Sequence, residues 1–320
     1  MSAKGKSNEI RITRVYEASV QAVWDAWTVT EQVEKWWGPR GFTLTTHSKD
    51  LRVGGSWRYT MHGPGGVDYP NVTTYFVVEP YQQLVYDHGG TDDTPPLFRV
   101  TATFSELHGK TTLELVFAFA TPEAAAATGK FIKQAGGYST WDRLAEHLEY
   151  TVAARSVFVI NRSFDAPIAQ LFAFWTQPGQ LANWLPPTGS ELRFLRSEIA
   201  AGKSTFFLIE GEHGRMHARF DYLAIEPAER IVYMQQFVDE AEQPASALGL
   251  ENWPARLQTT VQFSEETPER TRVTVTSAPL GSTTPSEAAS FLRERPNMTL
   301  GWTGSFDKLE ALLERTAATS

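Results

Sequence analysis

The sequence predicts an α+β protein built as two copies of one domain, each an antiparallel sheet with two short helices after its first strand and a long helix at its end. The first of three observations behind this is a repeat. Arg14, Ala18, Trp27, Thr28 and Trp36 each match an identical residue 148 positions on, at Arg162, Ala166, Trp175, Thr176 and Trp184. The second is that the echo keeps its order to the end of each half. Glu79-Pro80 with Leu84-Val85-Tyr86 returns as Glu226-Pro227 with Ile231-Val232-Tyr233, and Gly136 with Asp142-Arg143-Leu144 returns as Gly301 with Asp307-Lys308-Leu309. The third is that turn residues divide the middle of each half into strand-length runs, and a helical apolar stripe follows them. Each copy is far longer than the roughly 20–50 residues of a solenoid repeat, so each is expected to own a core. The expected domains are residues 9–152 and 156–316.

In the first copy, Ile10 to Glu17 alternates as a strand does, and Ser19 stands where a helix N-cap is wanted. Val20, Val23, Trp24 and Trp27 recur at helical spacing, and a second short helix closes near Trp36 before Gly38-Pro39 and Gly41 end the helical part. Strands are expected near 42–50, 55–62, 70–79, 83–89, 97–106 and 111–120. Gly54-Gly55, Gly63-Pro64-Gly65-Gly66, Glu79-Pro80 and His108-Gly109 mark turns between them. This order predicts a meander with antiparallel neighbours. Thr121-Pro122 has the form of a cap followed by proline at the first helical position. The helix that follows is expected to reach about Val152, weakened by Gly129 and Gly136-Gly137, with Trp141, Leu144, Ala145 and Leu148 on one stripe.

The second copy predicts strands near 157–164, 191–199, 203–211, 216–226, 230–238, 255–265 and 271–277. Its long helix is expected from about Ser286 to Arg315, interrupted near Pro296. One loop is longer than its counterpart: Asp239 to Pro254, with Leu248, Leu250 and Trp253, stands where the first copy has Gly89 to Pro96. It is read as packing on the protein rather than as a lid.

Composition sets limits. A chain of 320 residues, 42% hydrophobic and 21% charged, suits two globular domains. No apolar run approaches the roughly 18 residues of a membrane span, and Met1 to Asn8 is polar, so a cytoplasmic protein is expected. Without cysteine there are no disulfides and no thiolate chemistry. The net charge of −8 is shared by both halves, 14 basic against 17 acidic residues to Tyr150 and 15 against 20 beyond it, which disfavours nucleic acid as a partner.

Trp36-Trp37-Gly38-Pro39 after the second helix, Gly54-Gly55-Ser56-Trp57, His62-Gly63-Pro64-Gly65-Gly66 with Asp68-Tyr69-Pro70-Asn71, Leu84-Val85-Tyr86-Asp87-His88 and the closing Gly301-Trp302-Thr303-Gly304-Ser305-Phe306-Asp307-Lys308-Leu309 follow one another in a recognisable order. The chain resembles the START-like superfamily, the helix-grip or birch-allergen-like fold, and within it the branch named for the activator of heat-shock protein 90 ATPase. The resemblance covers nearly the whole chain. It implies a curved sheet wrapped around the long helix, with a pocket between them often used for an apolar ligand. The second copy departs from the pattern, with Leu185-Pro186 where the first has Trp37-Gly38 and Glu210 to Arg215 in place of the glycine-rich hairpin. The first has Gly137 where the second has Trp302.

Motifs of known chemistry are scarce. His213 and His217 are the nearest approach to a metal pair, but four residues along a strand separate them by roughly 13 Å, too far to share one ion. Gly63 to Gly66 lacks the lysine and following helix of a phosphate loop, and no Gly-x-Ser-x-Gly elbow occurs. No metal or cofactor is expected. There remain ten Trp, ten Tyr and nineteen Phe. On a strand, Trp57, Tyr59 and Met61 face one side. The cavity candidates are Trp36, Trp37, Trp57, Tyr59, Met61, His62, His88, Tyr138 and Trp141 in the first copy, and Trp184, Phe206, Leu208 and Trp302 in the second. Core packing is the simpler role for any single aromatic, and His62, Asp68 and His88 read first as solvated residues near a cavity mouth.

Three functions are open at this stage: binding of an apolar or aromatic small molecule, cyclase- or hydrolase-like chemistry in the same cavity, and docking on a heat-shock protein 90 chaperone. The resemblance weighs against docking, because both copies are of the activator's C-terminal type and no equivalent of its separate N-terminal domain is recognisable. The first copy is expected to be the better binder, since Gly137 leaves volume that Trp302, with Phe206 and Leu208, would fill in the second.

Overall fold

The computed structural model describes residues 8–134, 139–152, 157–211, 214–246 and 249–318. The chain divides into two compact units, Met1–Glu149 and Tyr150–Ser320. The first runs β1 (Glu9–Tyr16), α1 (Val20–Thr28), α2 (Thr30–Trp36), β2 (Thr43–Lys49), β3 (Ser56–His62), β4 (Asp68–Glu79), β5 (Gln83–His88), β6 (Phe98–Leu107), β7 (Lys110–Ala118), α3 (Pro122–Gln134) and α4 (Ser139–Val152). The second repeats this as β8 (Phe158–Phe164), α5 (Ile168–Thr176), α6 (Pro178–Trp184), β9 (Ser190–Ser197), β10 (Ser204–Gly211), β11 (Gly214–Glu226), β12 (Arg230–Val238), β13 (Leu257–Thr267), β14 (Arg270–Pro279) and α7 (Pro285–Ala318). Each unit holds one seven-stranded sheet, ordered β1-β7-β6-β5-β4-β3-β2 and β8-β14-β13-β12-β11-β10-β9, with every pair antiparallel.

Register shifts bend both sheets at equivalent places. One falls between Thr46 and Ser48 on β2, and its counterpart between Phe194 and Arg196 on β9 faces Phe206 and Phe207. Another falls between Tyr75 and Val77 on β4, and again between Tyr222 and Ala224 on β11. An extra residue in one strand of a pair bends that strand and raises its twist, so both copies inherit the same concave face. This is the helix-grip arrangement.

The local signals hold where they were read. The Ser19 hydroxyl accepts from the Ala22 amide at 3.3 Å, capping α1, and the Thr121 hydroxyl accepts from the Ala124 amide at 3.2 Å before α3. His108 and Gly109 both take positive φ between Leu107 and Lys110, the backbone a two-residue hairpin demands. Trp27, Trp36, Trp175 and Trp184 are all buried. The indole of Trp36 donates to the Ala26 carbonyl at 2.8 Å, and that of Trp184 to the Phe174 carbonyl at 3.1 Å, so the two copies lock their paired short helices alike.

The second long helix differs from expectation. Proline removes only one hydrogen bond, and α7 runs through Pro296 without a break. Leu292, whose carbonyl loses its partner, is exposed like Pro296 itself, so water can serve it, while Phe291, Phe306, Leu309 and Leu313 hold both halves of the helix in the core. The long loop of the second copy packs on its own unit. Glu242 accepts a bidentate pair from Arg196 at 2.5 and 2.7 Å, the Ser290 hydroxyl donates to the Glu251 carbonyl at 2.7 Å, and Trp253 lies 5.8 Å from the ring of Phe291. Leu248 lies outside the described residues.

Candidate functional site

The first unit holds an open-mouthed cavity of about 690 Å³. Its floor is the concave sheet, with Tyr86 and His88 of β5, Val100 of β6 and Phe117 of β7. One wall is Trp37-Gly38-Pro39, and Thr128 of α3 with Trp141 of α4 closes another side. The hairpin residues Tyr69 and Asn71 and the β5-β6 loop, through Thr91, Pro95 and Leu97, form the rim.

The Trp37-Gly38-Pro39 wall stands because α4 grips it. Arg143 donates to the carbonyls of Gly38 at 2.8 Å, Pro39 at 2.9 Å, Phe42 at 3.2 Å and Lys35 at 3.1 Å. Desolvation, and then the neighbouring Arg40 charge, lower its pKa to about 10. Arg40 makes a bidentate pair with Glu146 at 2.9 and 2.5 Å. Gly38 sits at φ +96°, which disfavours any other residue there. The second unit solves the same problem with Lys308, whose ammonium donates to the Pro186 carbonyl, and Ser305, whose hydroxyl donates to the Leu185 carbonyl at 2.8 Å. Arg143→Ala is therefore expected to cost the first domain about 2–4 kcal/mol in urea denaturation, since several carbonyls lose one charged donor. Arg143→Lys should recover most of that loss, as Lys308 does in its place; an unaltered midpoint for Arg143→Ala would show the clamp to be idle.

Of the residues expected at the site, Trp37, Met61, His88 and Trp141 line the cavity. Trp36, Trp57 and Tyr59 stand behind its wall, buried, with ring centroids 5.3, 5.4 and 6.4 Å from Trp37. His62 does not reach it: its Nδ1 meets Asp68 at 2.7 Å and its Nε2 meets Thr45 at 2.9 Å on the hairpin, the solvated role read first. Asp68 does touch the cavity. His88 is a correction to that reading, because it is partly buried, stacked 4.9 Å from Phe98, and desolvation lowers its pKa to about 4. Tyr138, and Gly137 beside it, lie outside the described residues.

In the second unit Trp184 is core, and Trp302 packs 5.5 Å from Phe306 at the edge of the core. Phe206 and Leu208 are buried, at 8% and 4% exposure, but stand outside the second unit's core on the strand face opposite Phe207. The repeat sets Thr205, Phe207 and Ile209 against Trp57, Tyr59 and Met61, and Phe207 enters the core between Phe194 and Phe220 while Phe206 stacks on His217. A slip of one residue changes the face of a strand. Missed from the sequence were Tyr86, Phe98, Phe117 and Thr128. Tyr86 had a signal, since it lies two residues before His88 and so shares its face.

A curved antiparallel sheet closed by terminal helices over an apolar cavity defines a START-like, helix-grip domain, here in tandem. The family model described as activator of Hsp90 ATPase homolog 1-like protein matches residues 17–149 and again 165–314, and the chain belongs to that family. No curated protein matches it. Similar solved structures include a protein from Arthrobacter aurescens at 22% identity, covering 44% of this chain and 86% of its own with a TM-score of 0.42. Another, from Staphylococcus epidermidis, is 27% identical over 47% of this chain and 95% of its own, with a TM-score of 0.41. The di-domain ARO/CYC BexL from the BE-7585A biosynthetic pathway is 14% identical over 95% of this chain and 98% of its own, with a TM-score of 0.40. Among the described residues no helix is long and apolar enough to cross a membrane, and no three His, Asp or Glu gather as a metal site.

Proposed function

We propose that this protein binds an apolar, largely aromatic small molecule in the cavity of its first domain. The observation that carries the reading is the cavity itself. Its volume of about 690 Å³ falls in the range of small-molecule sites, roughly 300–1,000 Å³, and its walls are mainly aromatic and aliphatic with a few polar groups among them. Burial of ligand surface against Trp37, Phe117 and Trp141 supplies the affinity, at about 25 cal/mol for each Å² of apolar area removed from water. Docking on a heat-shock protein 90 chaperone is supported by the family description alone, and cyclase- or hydrolase-like chemistry by the shared cavity alone, so ligand binding is preferred.

The test is titration of the whole chain with the uncharged fluorescent probe N-phenyl-1-naphthylamine, beside native mass spectrometry for a retained molecule. Thr128→Trp places an indole in the cavity from its helical side. It is expected to weaken probe binding at least tenfold without lowering the melting temperature. Equal binding by Thr128→Trp, or no binding by the parent protein, counts against the reading.

A further inference from the structure

Two polar groups on the cavity floor stand apart from the rest. Tyr86 and His88 are two residues apart on β5, so they share one face about 7 Å apart along the strand. Most polar neighbours are already engaged: Asp68 by His62, Asn71 by the Tyr69 carbonyl at 2.9 Å, and Thr91 by Thr94 at 3.0 Å. Tyr86 lines the cavity and is only 2% exposed, yet its hydroxyl makes no hydrogen bond among the described residues. A buried tyrosine hydroxyl ordinarily has a partner.

The histidine is set by its neighbours. The Tyr59 hydroxyl lies 3.5 Å from His88 Nδ1, and as a protonated phenol it has a proton to direct at the imidazole. Burial keeps the phenols of Tyr59 and Tyr86 protonated and the His88 ring neutral. In the tautomer whose Nδ1 accepts from Tyr59, the ring proton resides on Nε2. Stacking on Phe98 fixes the ring plane. The cavity floor therefore offers two donors, the Tyr86 hydroxyl and His88 Nε2–H, within an apolar surround. Among the described residues no Lys or Arg lines it, so an anionic ligand would be buried there without a counter-charge.

We propose that the cavity selects an uncharged aromatic molecule carrying a carbonyl-type acceptor oxygen, held by the Tyr86 hydroxyl and His88 Nε2–H. This rests on the ligand-binding reading above and adds to it the chemistry of the ligand. An aromatic ketone satisfies both donors or either one, whereas its hydrocarbon isostere leaves them desolvated and unpaired.

The test compares 9-fluorenone, fluorene and fluorene-9-carboxylate, titrated into the whole protein by quenching of tryptophan fluorescence. Fluorenone is expected to bind about tenfold more tightly than fluorene, the value of roughly one hydrogen bond, and the carboxylate more weakly than either. Tyr86→Phe and His88→Phe should each bring fluorenone toward the affinity of fluorene. Fluorene binding, retained or strengthened in both variants because an unpaired donor is removed, reports that the cavity still forms. Equal affinity for fluorenone and fluorene in the parent protein, or a preference that survives both substitutions, overturns the assignment while leaving ligand binding intact. Failure of all three compounds to bind overturns the ligand-binding reading, and this inference with it.

Discussion

Replacement of Trp27 by alanine should cost the first domain about 3–5 kcal/mol, the loss typical of truncating a buried tryptophan. Trp27 is 3% exposed and lies where α1 meets both α2 and the sheet. Its ring centroid is 5.6 Å from Trp36, 5.5 Å from Trp37, 5.8 Å from Phe104 and 5.5 Å from Trp141. Those four partners belong to a short helix, the cavity wall, the sheet and the terminal helix, so one truncation opens a void where every layer of the domain meets. The Trp27 carbonyl also accepts from the Lys49 ammonium at 3.0 Å, a bond that survives the substitution if the backbone holds. Trp27→Phe should therefore lose much less than Trp27→Ala, because it keeps an edge-on ring in the same slot. Guanidinium denaturation of the three proteins measures the difference; a Trp27→Ala midpoint within error of the parent would mean that the ring bears little of the packing.

Much of the fold could be read from the chain because its signals are local and occur twice. The Ser19 and Thr121 caps, the His108-Gly109 turn and the apolar stripe of Trp141, Leu144, Ala145 and Leu148 each depend on residues within a turn or two of one another. The duplication then repeated the proline-started terminal helix and the paired tryptophans in a second copy, though not the Ser19 cap, whose counterpart is Pro167. The burial of Trp36 and Trp184 was legible for the same reason, as both close a short helix after a matched spacing. The cavity was not legible in this way. Its volume is what remains after side chains from the sheet, α3, α4 and two loops have been placed, and no spacing in the sequence encodes that remainder. Alternation gives the face of a strand but not the depth, which is why His88 reads as a solvated hairpin residue and is instead stacked on Phe98. Phe206 and Leu208 fail more simply: their strand is right, but their parity is opposite to that of the first copy's inward stripe. Pro296 shows tertiary packing outweighing a local breaker.

The first domain should lose stability as the pH falls from about 6.5 to about 4, and His88 should account for about 3 kcal/mol of that loss. An unfolded chain holds the imidazole near its ordinary pKa of about 6.5, whereas desolvation in the folded domain lowers it to about 4. Between these values the unfolded state binds a proton that the folded state refuses, so unfolding is favoured as protons are added. The stabilisation is fully present above pH 6.5, falls through the interval, and is level again below pH 4. A gap of that width at about 1.4 kcal/mol per pH unit gives the stated magnitude. His147 acts in the same direction: it is buried on α4 beside Gln32, and desolvation, then the Lys35 charge, lower its pKa to about 4. His88→Phe separates the two, since it removes the titrating ring from the cavity floor and leaves His147 in place. Urea denaturation at pH 7 and pH 4.5 should show the parent losing about 2–3 kcal/mol more than His88→Phe between the two conditions. Parallel losses in the two proteins would mean that His88 carries its charge in the folded domain as readily as in the unfolded chain.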